Sequence, residues 1–186
     1  EEVLEATDRA IDHYSTVMGA TQVELIGYSG GGAIAALVAA RRTLNEDLAS
    51  DGIKLSFLPF FVKACVLALQ AHPRFNASLD MERETITYHP RYNVGIATAT
   101  PEGLIVTVVH DADRKSLTEI ALEIEYLAGL ARERRVSVEQ IRGGTFTISN
   151  YGSYGAWMGT PIIRPPEVAI AGFGRIHEAV VLSLIH

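Results

Sequence analysis

An α/β protein built on a mixed sheet is what this sequence predicts, and three observations carry the prediction. Apolar residues make up 48% of the chain, enough to bury a sizeable core. Helical spacing of apolar residues governs much of the first 72 positions and returns after Ser116. Between and after those stretches lie short runs rich in β-branched residues, punctuated by Pro and Gly as strands are. Helices and strands are interleaved rather than sorted into blocks, the pattern of an α/β or α+β domain with a mixed sheet.

Each element follows from local chemistry. Residues 2–18 set Val3, Leu4, Ala10, Ile11 and Tyr14 behind an acidic start, so they predict an amphipathic helix stopped by Gly19. Val23 to Ile26 is short and apolar, a buried strand. A helix follows from Gly31 or Gly32 to about Leu48, ending near Gly52. "FLPFFVKACVLALQAH" is apolar on most sides and predicts a buried helix. Pro59 suits its first turn, where no backbone N–H is needed, and Pro73 follows its end. "ETITYHP", "YNVGIATATP" and "GLIVTVVHD" read as strands, the last two forming a hairpin across Pro101-Glu102-Gly103. Ser116-Leu117-Thr118-Glu119 is a capping box. It opens a helix with Leu117, Ile120, Ala121, Ile124, Leu127, Ala128 and Ala131 on one face. "GTFTIS" and "EVAIAGFG" are two more strands, joined by the Gly/Pro-rich loop "GSYGAWMGTPIIRPP", and "AVVLSLIH" is a last one.

Composition excludes several classes of function. A net charge of −6 is wrong for a general nucleic-acid binder, which needs a basic face against phosphates. Cys65 is the single cysteine, so no intrachain disulfide can form and a reducing compartment is expected. Its place in an apolar run reads as core packing rather than as a nucleophile. No apolar run reaches the ~18 residues of a membrane span. The acidic start lacks a signal peptide's basic front, so a cytoplasmic protein is expected, or one of an organelle matrix such as the mitochondrial one.

One short motif argues for a hydrolase. Gly27-Tyr28-Ser29-Gly30-Gly31 satisfies G-x-S-x-G with a strand before it and a small-residue helix after it. That turn presents a serine hydroxyl beside backbone N–H groups. Residues 8–42 resemble the elbow region of α/β-hydrolases, making Ser29 an alternative nucleophile and a serine esterase an alternative function. A nucleophilic serine also needs a histidine base and an acid to orient it. His72, His89, His110 and His177 are present, but none stands in a recognisable hydrolase setting. The bland reading is a tight strand–helix turn whose N-terminus can hold an anion.

From about Leu44 the stretches "KLSFLPFFVKACVLALQAHPRFNASLD", "YNVGIATATPEGLIVTVVHDADRKSLTEIA" and "IRGGTFTISNYGSYGAWMGTPIIRPPEVAIAGFGRI" carry a second resemblance. They resemble, in order and spacing, the catalytic domain of dihydrolipoyl acyltransferases, the core enzymes of 2-oxo-acid dehydrogenase complexes. The resemblance implies a two-layer sandwich similar to chloramphenicol acetyltransferase. It implies homotrimers, or a larger core assembly, with the active site in a channel between subunits. Coenzyme A and a lipoyl group on a swinging lipoyl domain are the implied substrates, other subunits of the complex the implied partners. No metal and no nucleic acid are implied. In the family's mechanism a histidine takes the proton of the attacking thiol and a serine hydroxyl holds the oxyanion. Carried over by position, the serine is Ser149, followed by the turn that includes Gly152, Gly155 and Asn150, the last an expected substrate-binding residue. Asn76 and Ser78 match a substrate-binding segment near the channel, though a helix-to-strand connection explains them equally. Thr107 stands where many members have proline. His110, Asp111 and Asp113 could gather a metal, but a solvated loop leading to the Ser116 cap is the preferred reading.

Two features depart from the family. Its catalytic histidine lies in a D-H-R-x-x-D-G motif after a strand like "LSL", and this chain ends "LSLIH". His186 is the candidate for that histidine; the alternative is that it holds the last position by accident. The acyltransferase region is accordingly expected to be truncated or abridged, and incomplete at its C-terminus. The family's N-terminal arm is replaced by the hydrolase-like segment. The expected organisation is a helix-strand-helix appendage over residues 1–43 and an acyltransferase catalytic domain over 44–186. Such a chain reads as chimeric, engineered or an incomplete record, and a non-catalytic oligomeric scaffold is the third function it allows.

Overall fold

A computed structural model describes residues 30–175. The helix expected over 2–18, the strand at 23–26, His177 and the terminal strand with His186 lie outside the described residues. Helix α1 (Gly30–Asp47) opens the described chain and runs unbroken through positions 43 and 44. A short 3-10 turn, Ala49–Asp51, follows it, and Gly52 then takes the left-handed conformation at φ 69° that favours glycine. The Asn45 side chain fastens the return, accepting Leu55 N–H at 2.6 Å and donating to Leu55 O at 3.2 Å. Arg41 lies over the Phe57 ring, 4.6 Å from its centroid.

Helix α2 (Leu58–Ala71) starts with Pro59 in its first turn, as its missing N–H requires, and its buried positions are Pro59, Val62, Val66 and Leu69. Strands β1 (Ala77–Asp80) and β2 (Thr85–Tyr88) pair antiparallel as a separate small sheet. Strands β3 (Val94–Thr100) and β4 (Gly103–Val109) form the expected hairpin, with Thr100 opposite Gly103 and Pro101-Glu102 at the tip. Helix α3 (Leu117–Arg132) carries the full capping box: Glu119 N–H donates to Ser116 Oγ at 3.2 Å, and Ser116 N–H to Glu119 Oε2 at 2.7 Å. These contacts hold the Glu119 carboxyl below the ordinary carboxylate value.

The chain then returns through β5 (Phe146–Asn150) and, after a long loop, β6 (Ile170–Phe173). The main sheet has the order β4-β3-β5-β6. Its first pair is antiparallel and the other two are parallel, so the sheet is mixed, as the sequence predicts. Each parallel pair needs a crossover. Helix α3 supplies the first, while the second is made by irregular chain.

Strand alternation sorts the two faces of the sheet. Val94, Ile96, Val109, Phe146 and Ile148 face one side and pack with Val62, Val66 and Leu69 of α2 and with Ile120 and Leu127 of α3. Phe61 of α2 stacks on Phe173 of β6 at 4.1 Å, carrying this contact to the edge strand. Cys65 packs against this cluster. Burial pushes its thiol up to about 11, so at about pH 8 only roughly a thousandth is thiolate. Iodoacetamide at that pH is expected to label the folded chain far more slowly than the urea-unfolded chain. Equal rates would contradict the packing described.

Candidate active site

The opposite face of the sheet, free of α2 and α3, presents the chemistry. It receives Gly95 from β3, Val106 and Val108 from β4, Thr147 and Ser149 from β5, and Ile170 and Gly172 from β6, by the registers of the sheet. Gly95 has to be small: a Cβ there would stand 2.8 Å from Val106 Cγ1 and 2.9 Å from Thr147 Oγ1. β3 and β5 therefore bring their polar face together only because β3 offers no side chain at this point.

Ser149 is half-buried, directly opposite Gly172. Its hydroxyl has no hydrogen-bond partner among the described residues. A half-buried hydroxyl without an internal partner, on a strand paired on both sides, is free to donate to solvent or to a ligand. Tyr151, two residues on, lies across Gly172: a Cβ on that glycine would meet the Tyr151 ring at 2.9 Å and its hydroxyl at 3.1 Å. Sequence reasoning passed Tyr151 over, since only the fold shows that it lies above the glycine beside Ser149. Asn150 is assigned to the other face by strand alternation, next to Phe173 in register. Its carbonyl accepts the Ser153 hydroxyl at 2.8 Å and so shapes the turn over Tyr151–Tyr154.

Asn76 and Ser78 enter from the small sheet. Asn76 is 1% exposed, and its amide donates to the carbonyls of His89 and Arg91 at 2.9 Å each. Its Oδ1 is buried without a partner. That amide locks the exit of β2 to the end of α2. Ser78 Oγ and His89 Nε2 are 2.6 Å apart, the one Ser–His hydrogen bond among the described residues. The hairpin is joined to the loop ahead of β6 through an isolated antiparallel bridge between Ser78 and Glu167.

Glu167 is the polar residue that sequence reasoning missed. It is 5% exposed and its Oε2 accepts the Thr147 hydroxyl at 2.6 Å. Burial raises its carboxyl above the usual 4.5, against smaller lowering effects of Thr147 and of the Arg164 charge. The native state thus keeps this proton over a range in which the unfolded chain has lost it. The stability it contributes is full below about 4.5 and is lost as pH rises through the native value. Between about pH 5 and about pH 8 the wild type is expected to lose more Tm than Glu167→Gln, which has no proton to lose. Parallel pH dependences of Tm would contradict this.

The "HDADRKS" loop does not gather ligands. His110 Nε2 is 3.1 Å from Glu139 O, and Asp111 N–H donates to Asn93 Oδ1 at 2.9 Å. Lys63 of α2 donates to the carbonyls of Ala112, Asp113 and Lys115 at 3.3, 3.1 and 2.7 Å. The turn into the Ser116 cap is therefore built around a lysine. Among the described residues, no three His, Cys, Asp or Glu side chains gather to hold a metal ion. No helix among them is long and apolar enough to cross a membrane. The alternative nucleophile Ser29 lies outside the described residues.

A mixed sheet with α2 and α3 on one face and Ser149 on the other is the arrangement that the chain shares with a family of known proteins. Residues 31–184 match the family described as 2-oxoacid dehydrogenases acyltransferase (catalytic domain), and the chain belongs to that family. It is 46% identical over 138 residues to the dihydrolipoyllysine-residue acetyltransferase component of the pyruvate dehydrogenase complex of Staphylococcus epidermidis, covering 74% of this chain and 32% of the relative. The same component from Bacillus subtilis is 44% identical over 146 residues, covering 78% and 33%. The chain thus spans about a third of the length of these relatives. Among solved structures, the cubic core of a pyruvate dehydrogenase multienzyme complex matches with TM-score 0.75 and 35% identity, over 79% of this chain and 60% of that one. The Azotobacter vinelandii dihydrolipoamide acetyltransferase matches with TM-score 0.72 and 36% identity, over 75% and 58%, in a structure made to examine a serine, a histidine and an asparagine in that enzyme's mechanism. The match begins at residue 31, so all of α1 but its first residue lies within it. A hydrolase-like elbow is not shown.

Proposed function

We propose that this chain is the catalytic part of a dihydrolipoyl acyltransferase, moving an acyl group between a lipoyl thiol and coenzyme A. The observation that supports it most is the Ser149 hydroxyl, without a hydrogen-bond partner among the described residues, on the sheet face opposite α2 and α3. A thiol attacking a thioester carbonyl builds negative charge on oxygen, and a fixed hydroxyl donor lowers the energy of that charge. Ser149 is the oxyanion donor, with Asn150 shaping the turn that follows it. Asn76 and Ser78 form the neighbouring wall, where the pantetheine or lipoyl arm lies. A free thiol has a pKa of ~8.5, so a base is needed to make enough thiolate near neutral pH. That base is a C-terminal histidine, for which His186 is the candidate in this chain. The two-layer arrangement is similar to that of chloramphenicol acetyltransferase, and trimers joined into the core of a 2-oxo-acid dehydrogenase complex are the fitting assembly.

The test is whether coenzyme A is released from acyl-coenzyme A only when dihydrolipoamide is supplied. Release that ignores dihydrolipoamide, with Ser29 labelled by a fluorophosphonate, would replace transfer by hydrolysis. Stable oligomers with no turnover would leave a scaffold.

A further inference from the structure

Acyl transfer at Ser149 leaves one buried acid without a task. Glu167 stands on the sheet face that carries Ser149. Its Oε2 holds the hydroxyl of Thr147, the residue two positions before Ser149 on the same strand and the same face. Its Oε1 lies over Gly144, 3.2 Å from where a Cβ would stand. Its backbone bridges Ser78 of β1, and beside that bridge Leu79 N–H donates to Pro166 O at 2.9 Å. One residue therefore spans from the strand that presents Ser149 to the strand whose Ser78 bonds His89.

Resting on the reading of Ser149 as oxyanion donor, we propose that Glu167 is a positioning residue for acyl transfer. It pins the Ser149 segment of β5 to the Asn76–Ser78 segment where the chain enters β1, so that the two walls of the site keep one spacing.

The surroundings explain why a carboxyl can serve here. A buried acid is costly unless it is hydrogen-bonded. The groups facing it are Thr147 from β5, Gly144 from the preceding loop, Ser78 from β1 and Arg164 from its own loop. Arg164 is the one charge among them, and its guanidinium donates to Ile141 O at 3.0 Å. No ion pair joins Arg164 to Glu167. Burial favours the neutral acid, whose shape and bonding a glutamine reproduces. The side chain thus acts by length and hydrogen bonding. Alanine removes both. A misplacement of about 1 Å in a site of this kind can cost ~10²-fold in rate.

The experiment compares wild type, Glu167→Gln and Glu167→Ala in the full protein that carries this chain, with acetyl-coenzyme A and dihydrolipoamide. Glu167→Ala is expected to lower kcat by about 10- to 100-fold while the KM values move less than about 3-fold. Glu167→Gln is expected to stay within about 3-fold of wild type, and to flatten whatever decline the wild type shows as pH rises through the native value of this carboxyl. Hydrogen exchange of the Leu79 amide is expected to quicken in Glu167→Ala and not in Glu167→Gln. Equal losses in both variants, or an unchanged kcat in Glu167→Ala, would overturn the proposal. If wild type transfers no acyl group, the functional reading falls by itself; the Leu79 amide still decides the tie, and unchanged exchange in Glu167→Ala would refute it. If Glu167→Ala does not fold, Thr147→Val cuts the same hydrogen bond from the other end. It is expected to lower kcat, and wild-type kcat in it would overturn the proposal.

Discussion

Gly152→Ala is expected to cost about 3 kcal/mol and to lower Tm by about 10 °C. A Cβ at Gly152 would stand 2.2 Å from Gly174 O, 2.3 Å from Gly174 C and 2.5 Å from Arg175 N. All three are backbone atoms, so no rotamer change relieves the clash. Gly174 cannot retreat freely, because its own Cβ position is 2.5 Å from Trp157 O. The turn after β5 and the chain leaving β6 are thus packed backbone against backbone, joined by Arg175 N–H donating to Ala156 O at 2.9 Å. Displacing them moves Tyr151 off Gly172 and disturbs the floor beside Ser149, so acyl transfer is expected to fall as well. Thermal melting checks the first part, and a Tm within about 2 °C of wild type would contradict the packing.

Ser149→Ala is expected to give the opposite pattern. The hydroxyl holds no internal hydrogen bond and is half-exposed, so its loss should change stability by less than about 0.5 kcal/mol. The rate should nonetheless fall ~10²–10³-fold, the usual cost of one oxyanion donor. The loss should appear in kcat, with the KM values for acyl-coenzyme A and dihydrolipoamide nearly unchanged. In the proposed reaction the charge that the hydroxyl meets exists only when the thiol has attacked, so ground-state binding gains nothing from it. A variant with wild-type kcat and a raised KM would make Ser149 a substrate-binding residue instead.

Local signals made most of the fold legible. Pro59 marks the start of α2, the Ser116–Glu119 box the start of α3, and Pro101-Glu102 the tip of the β3–β4 hairpin, because each is decided by a few adjacent residues. Strand β1 escaped. "ASLD" is four residues long with one large apolar side chain, and it is a strand because β2 and the Glu167 backbone pair with it. Ser149 was singled out by the family's order of motifs. The acid on the same face was not, since Thr147 and Glu167 are 20 positions apart and meet only once β5 and β6 lie parallel. Asn76 reads as a substrate contact in one dimension. In three its amide also donates to two carbonyls of the β2 exit, a tie that no local pattern announces.

The most direct test of the account is the acyl product itself. The protein carrying this chain, and its Ser149→Ala variant matched for Tm, would be given acetyl-coenzyme A and dihydrolipoamide, and the products weighed by mass spectrometry. The account predicts acetyl-dihydrolipoamide from the wild type and ~10²–10³-fold less, at equal time, from the variant. Free acetate in its place, or equal yields of acetyl-dihydrolipoamide from both proteins, would contradict it.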